Sequence, residues 1–457
     1  MANKKVSVEE VAGLNYAPWE RTFSRVFSPF EEFIHRQTTS GILLMLCTIV
    51  ALYLANSSFS ETYHHLTHTP VAFMFGNWSL NMSLHHWVND GLMAIFFFVV
   101  GMELKREMLV GELSDIKQAA LPIFAAIGGM LVPALIYAAF NHEGDAARGW
   151  GIPMATDIAF AVGALVLLAH RVPKSLITFL VALAIADDLG AVLVIAIFYT
   201  KELSLPWLGA SLALVMVLFS FNFLGIRKAI PYFLIAVLLW YTLLQSGVHA
   251  TIAGVLGAFT VPARSKYDPS LFALRVNEQI DHFISSNKVG SSIMTNERLN
   301  AIVQTIERSV QGVQTPLQRL ENIWHLPVAF LVIPVFAIFN AGIPIQFSKF
   351  TETLDNPIML GVTFGLVFGK FIGISAASWL AIRLGFGQLP TGTRFIQIAA
   401  VSVLGGLGFT MSIFIAELAF SNHEDYLLMA KTGVLLASLI AGLSGYIWLW
   451  FLGKPKT

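Results

Sequence analysis

Charge is scarce in this chain. Only 12% of its 457 residues are charged, 28 basic residues cancel 28 acidic ones, and 56% are hydrophobic. With a mean hydropathy of +0.70, a water-soluble globular class is excluded, and no net charge is left to attract a nucleic acid. Cysteine is scarcer still. The single Cys47 rules out an internal disulfide and a cysteine-built metal centre. No cleavable secretion signal is expected either, because Met1–Arg36 is polar and mixed in charge, without a basic start followed by an apolar core.

What is abundant is long apolar runs. Their lengths predict an all-α polytopic membrane protein with twelve transmembrane helices. An extension over 1–37 precedes spans one to eight in 38–261. A linker over 262–321 separates these from spans nine to twelve and a short tail in 322–457. The seventh and eighth spans, Ile230–Leu244 and Gly247–Val261, are the shortest. Trp87, Trp150, Trp207, Trp240 and Trp450 stand near span ends, where indole rings settle at a membrane interface. Of the 28 Lys and Arg residues, 23 fall at the two ends of the chain and in or beside the even-numbered loops. The positive-inside rule therefore places both termini in the cytoplasm of a multi-pass protein.

Two segments outside the spans have patterns of their own. In the first external loop, 71–82 alternates apolar and polar residues around Gly76-Asn77, which reads equally as a β-hairpin and as an irregular loop. A hairpin edge would be a natural place for a second copy to pair. In the linker, Leu299, Ile302, Val303, Ile306 and Val310 recur at helical spacing, and Phe272, Val276, Ile280 and Phe283 do so less cleanly. Two amphipathic helices packed on the membrane domain are expected there.

Four ionisable residues lie deep in the spans: Asp157, Asp187, Asp188 and Lys370. A charge at the centre of a membrane helix costs at least ~2.5–3.5 kcal/mol on insertion scales. Counting along each helix puts Asp157, Asp187 and Lys370 at one level, ~20 Å from the cytoplasmic end of a hydrocarbon core ~30 Å thick. Neighbours on a helix differ by ~100° in direction, so Asp187 and Asp188 face different surroundings. One is expected to meet Lys370 and the other a water-filled funnel. Carboxylate oxygens suit hard cations such as Na⁺ or Li⁺. Adjacent carboxylates also titrate as a coupled unit, able to exchange protons for a cation. A purely structural ion-pair network would need balance, and here three acids face one base.

Helix-breaking residues accompany these charges. The fourth span reads Gly151-Ile-Pro-Met-Ala-Thr-Asp157, with Pro153 removing a backbone donor. The eleventh reads Gly405-Gly-Leu-Gly-Phe-Thr410. If spans three to five and ten to twelve are repeats, these are their middle members. Interrupted crossing helices at corresponding places in two inverted-topology repeats mark a transporter's binding site.

Together these segments resemble the bacterial NhaA-type sodium/proton antiporter family. The resemblance rests on Ala155–Ala161, Ala182–Gly190, Ser246–Thr251, Phe368–Ser375 and Gly408–Phe414. It implies electrogenic exchange of cytoplasmic Na⁺ or Li⁺ for more than one external proton, across the bacterial inner membrane, by a homodimer surrounded by lipid. No cofactor, no enzymatic activity and no nucleic-acid partner are expected. By the same resemblance, Asp187 and Asp188 form the cation and proton site, Thr156 and Asp157 mark the crossing, and Lys370 pairs with the first aspartate of the couplet. Glu103, Glu107, His249, Glu321 and His325 match positions tied to control by pH. Taken alone, Glu103 and Glu107 read equally as interfacial charges, and a lone histidine such as His249 on an apolar face is more often structural than a sensor. Asn322 departs from the family, following Glu321 where a histidine is common.

Two other classes also place carboxylates in a membrane. An intramembrane aspartyl protease needs a Gly-x-Gly-Asp context, which is missing. A carrier of organic anions with Na⁺ needs a cationic or polar pocket, for which Lys370 alone is thin provision.

Overall fold

The computed structural model describes residues 37–76, 78–200, 203–286, 296–344 and 354–453, most of them helical. The chain is an all-α polytopic membrane protein. Among the described residues, nine helices are long and apolar enough to cross a membrane, or eleven when each of two bent pairs counts as one crossing.

The first bent pair is α1 (Gln37–Ala55) and α2 (Ser60–His68), which turn by 111°. Strands β1 (Pro70–Phe75) and β2 (Trp78–Ser83) follow as an antiparallel hairpin, with Val71 opposite Met82 and Phe73 opposite Leu80. Gly76 takes the positive φ of 61° that this tight turn demands; Asn77 lies outside the described residues. Next come α3 (Leu84–Val110), α4 (Ile116–Phe140), a 3-10 segment at Asp145–Met154, α5 (Ile158–Val166), α6 (Lys174–Phe198), α7 (Leu205–Phe223) and α8 (Ala229–Ser246).

Gly247 ends α8 in a left-handed conformation, and the chain turns before the nine-residue α9 (Ile252–Thr260). At about 14 Å, α9 is too short to cross a bilayer. The turn takes up residues that the sequence assigned to an eighth span, so twelve full crossings are not reached among the described residues. In the linker, α10 (Pro269–Ser286) and α11 (Glu297–Val313) pack on each other. Leu299 and Ile302 of α11 are buried, whereas Leu271 and Leu274 of α10 are exposed. Asp268 opens α10 by accepting bonds from the Ser270 hydroxyl and amide, which hold its carboxyl below the usual range. Helices α12 (Pro316–Asn340), α13 (Pro357–Arg383), α14 (Phe395–Leu404), α15 (Phe409–Ala419) and α16 (Glu424–Leu452) complete the chain.

In lipid, helices gain little by hiding apolar side chains from one another, so close backbone packing has to hold the bundle. Helices α4 and α13 show how. A Cβ on Gly128 would stand 2.3 Å from the Gly373 carbonyl oxygen, and one on Gly373 would stand 2.2 Å from that of Gly128. Only glycine fits at either place, and the contact fixes α13 one turn from Lys370. A single π turn, Gly365–Gly369, immediately precedes that lysine. Such a bulge offsets the side chains that follow it and is frequent at functional sites.

Candidate functional site

Two helix breaks meet inside the bundle, the first extended and the second a turn. Ala155–Asp157 separates the 3-10 segment from α5, and Gly405–Gly408 separates α14 from α15, which are bent by 50°. The Asp157 amide donates to the Leu407 carbonyl at 2.6 Å. Glycine allows this approach: a Cβ on Gly406 would stand 2.5 Å from the Leu366 carbonyl oxygen, and one on Gly408 3.2 Å from that of Ala155. Broken helices expose backbone groups that lipid cannot satisfy. Here the Asp157 amide meets the Leu407 carbonyl, the Thr156 hydroxyl meets the Gly405 carbonyl and the Asp157 carboxylate meets the Thr410 amide.

Asp157 serves two helix starts at once. Its Oδ1 accepts from the Phe160 amide at 3.1 Å, capping α5. Its Oδ2 accepts from the Thr410 amide at 2.9 Å and the Thr410 hydroxyl at 2.6 Å, in the first turn of α15. The positive ends of two helix dipoles thus converge on one carboxylate. Thr410 is a partner that reading the sequence leaves out. Its signal was the placement of a threonine just after the eleventh span's glycine cluster, as Thr156 stands just after Pro153 in the fourth.

Thr156 and Lys370 both reach Asp187. The Thr156 hydroxyl lies 2.8 Å from Asp187 Oδ2 and 2.9 Å from the Gly405 carbonyl oxygen. A hydroxyl has one proton to donate, so these two acceptors compete for it. Lys370 Nζ donates to Asp187 Oδ2 in a fully buried ion pair. Removing one partner from such a pair costs about 3–5 kcal/mol, because it leaves the other charge stranded.

Asp188 stands apart from all this. It is 0% exposed, and neither of its oxygens has a hydrogen-bond partner among the described residues. Asp187 Oδ1 is likewise unpartnered. Asp188, Asp157 and Thr410 line the inner end of a cavity of about 1400 Å³, whose other end is lined by Glu103, Glu107 and His325. Three carboxylate oxygens from adjacent residues are therefore unspent at or beside this end, a donor set suited to a hard monovalent cation.

The structure sorts the residues proposed for pH control. At the cavity's mouth, Arg106 bridges Glu107 (3.3 Å) and Glu321 (3.2 Å), and His325 Nδ1 lies 3.6 Å from Glu103. His249 is not among them. Its Nε2 is bonded to the Tyr199 carbonyl at 2.8 Å, just past the opposite end of α6 from Lys174. Arg106 was not singled out in the sequence, yet it is the base that holds this acidic group together.

Comparison with known proteins shows the family of the chain. The profile of the Na⁺/H⁺ antiporter 1 family matches residues 31–449. The chain is similar to the Na⁺/H⁺ antiporter NhaA 1 of Saccharophagus degradans, 55% identical over 96% of this chain and 95% of that protein. It is similar to the Na⁺/H⁺ antiporter NhaA of Sulfurimonas denitrificans, 53% identical over 96% and 99%. With the Na⁺/H⁺ antiporter NhaA 2 of Psychromonas ingrahamii the identity is 42% over 95% and 92%.

Proposed function

The chain belongs to the Na⁺/H⁺ antiporter 1 family, and from that premise we propose that it expels cytoplasmic Na⁺ or Li⁺ in exchange for external protons by alternating access. The observation that carries this reading is Asp188, a buried carboxylate with both oxygens unspent at the inner end of a cavity, beside a carboxylate already committed to Lys370.

A cation arriving through the cavity meets Asp188 and the unpartnered Oδ1 of Asp187. Binding draws Asp187 away from Lys370, which then gives up its proton, as does Asp188. The cation-loaded site holds two carboxylates, one Na⁺ and a neutral lysine, for a net charge of −1. After the site turns outward, one Na⁺ leaves and two protons enter, one on Asp188 and one on Lys370. The net charge is then zero. Each cycle moves one positive charge inward, so exchange is electrogenic and driven by the membrane potential.

Localisation and assembly follow the same reading. The 23 Lys and Arg residues at the ends and even-numbered loops support an inner-membrane protein with both termini cytoplasmic. The hairpin, a two-stranded sheet whose edges have no further strand among the described residues, supports a homodimer. The acidic mouth around Arg106 supports control by cytoplasmic pH, with Glu103, Glu107, Glu321 and His325 as the groups that set it.

Everted vesicles test the exchange reading directly. Adding Na⁺ or Li⁺ should dissipate an imposed ΔpH, and K⁺ should not. Protons compete with the cation for the same oxygens, so the half-saturating Na⁺ concentration should rise as pH falls from 8.5 to 6.5. An unchanged half-saturation, or dissipation by all three cations alike, contradicts the shared site.

A further inference from the structure

A second polar cluster, part buried and part half-buried, lies beyond the crossing from the cavity, and none of its members lines that cavity. Helix α15 leads to it. Glu417 follows Thr410 by seven residues, about 10 Å along the axis. Its Oε1 forms an ion pair with Lys431 Nζ of α16 at 2.5 Å and lies 3.4 Å from His85 Nε2 at the start of α3. Asn340, at the end of α12, places its Oδ1 3.0 Å from the same imidazole nitrogen. Asn340 also donates through Nδ2 to Asn89 Oδ1 at 2.8 Å, which leaves Oδ1 as its acceptor. By this network His85 Nε2 carries the hydrogen and gives it to Asn340 Oδ1, while Glu417 Oε1 and Asn89 Nδ2 each stand 3.4 Å from the same nitrogen.

The partners divide by element. Glu417 and Lys431 stand on α15 and α16, the first of which begins at the crossing. His85, Asn89 and Asn340 stand on α3 and α12, which take no part in it. A carboxylate, an ammonium and two amides inside a membrane bundle are costly, and neither the crossing nor the cavity uses them. Polar groups belong at such a place if water reaches them in another state of the molecule.

We propose that the His85–Glu417 contact closes the external route to the site and parts when the site turns outward. Lys431 holds Glu417 ready on one side and Asn340 holds His85 on the other. His85 and Glu417 are positioning residues for the exchange, and they meet neither the cation nor Asp188. The idea rests on the exchange reading, because only a protein with two access states needs a second closure. Facing the contact are Glu417 and Lys431 from α15 and α16, His68 of α2, whose ring stacks on His85 at 6.3 Å, and the neighbouring His86.

The test starts from the full chain with its one cysteine removed, Cys47→Ala, in proteoliposomes. The added pair His85→Cys and Glu417→Cys is bridged with a short reducible bis-thiosulfonate. Bridging should lower Na⁺-driven proton flux at least tenfold, and reduction should restore it, whereas the reagent should not change the flux of either single-cysteine protein. Undiminished flux through the bridged protein overturns the closure while leaving exchange intact. A Cys47→Ala parent without flux brings down the exchange reading, and the closure with it. A second variant, His85→Gln, reads the balance between states. Weakening an external closure should lower the half-saturating Na⁺ on the external side and raise it on the cytoplasmic side, each about three- to tenfold. Shifts in the same direction, or none, mark the pair as packing alone.

Discussion

Asp157 and Asp188 are carboxylates at the end of one cavity, and their surroundings are opposite. Asp157 accepts three bonds, from Phe160 and twice from Thr410, and in doing so ties two helix starts together. Asp188 accepts none among the described residues. A saturated carboxylate contributes to stability and has little affinity left for a ligand. An unsaturated one does the reverse, since it destabilises the empty fold until a proton or cation arrives. On the proposed reading, the difference separates the part of the site that holds the architecture from the part that binds the ion.

Three substitutions probe that contrast. The largest effect should come from Asp188→Asn, which removes the unspent charge and no hydrogen bond. Na⁺-driven proton flux should fall by about 100-fold or more as the hard anionic ligand is lost, while the unfolding midpoint in detergent stays level or rises. Retained flux would mean that Asp188 is only a buried acid.

At the crossing the balance should invert. Thr410→Val deletes one hydroxyl bond to a buried carboxylate, worth about 1.5–3 kcal/mol. The midpoint should drop by several degrees and flux by less than about tenfold, and Thr410→Ser should recover both. A stable but inactive Thr410→Val protein would dissolve the distinction between the two acids.

The smallest effect belongs to the mouth. Glu321→Gln leaves Arg106 with one acid fewer to offset it, so the local potential becomes more positive and protons compete less well for the site. The activity–pH profile should move to lower pH by about half a unit. A shift to higher pH would show that Glu321 acts by another route.

Much of the site was legible because membrane depth is a one-dimensional quantity. Helix rise alone puts Asp157, Asp187 and Lys370 at one level, and in the structure Lys370 does meet Asp187. The 100° between neighbouring residues likewise separates Asp187, turned to Lys370 and Thr156, from Asp188, turned to the cavity. Position around the bundle is what spacing cannot give. Thr410 and Arg106 act through partners on other helices, Asp157 and Glu321, and nothing in their own segments announces those partners. His249 shows the converse, standing in a family-like segment yet bonded far from the mouth. The eighth span already reads as short, but how short α9 is stays hidden. Hydropathy over Gly247–Val261 does not reveal that Gly247 adopts a left-handed turn and leaves only nine residues for the helix.

The paired glycines of α4 and α13 have a mechanical consequence. Each backbone lies against the other's carbonyl with no side chain between them, so neither helix can slide past its neighbour without a collision of main chains. Lys370, one turn along from that contact, is geared to α4. Any stroke that lifts the lysine through the membrane must lift a second helix as ballast, and the unit of motion in this protein is larger than the residues that touch the ion.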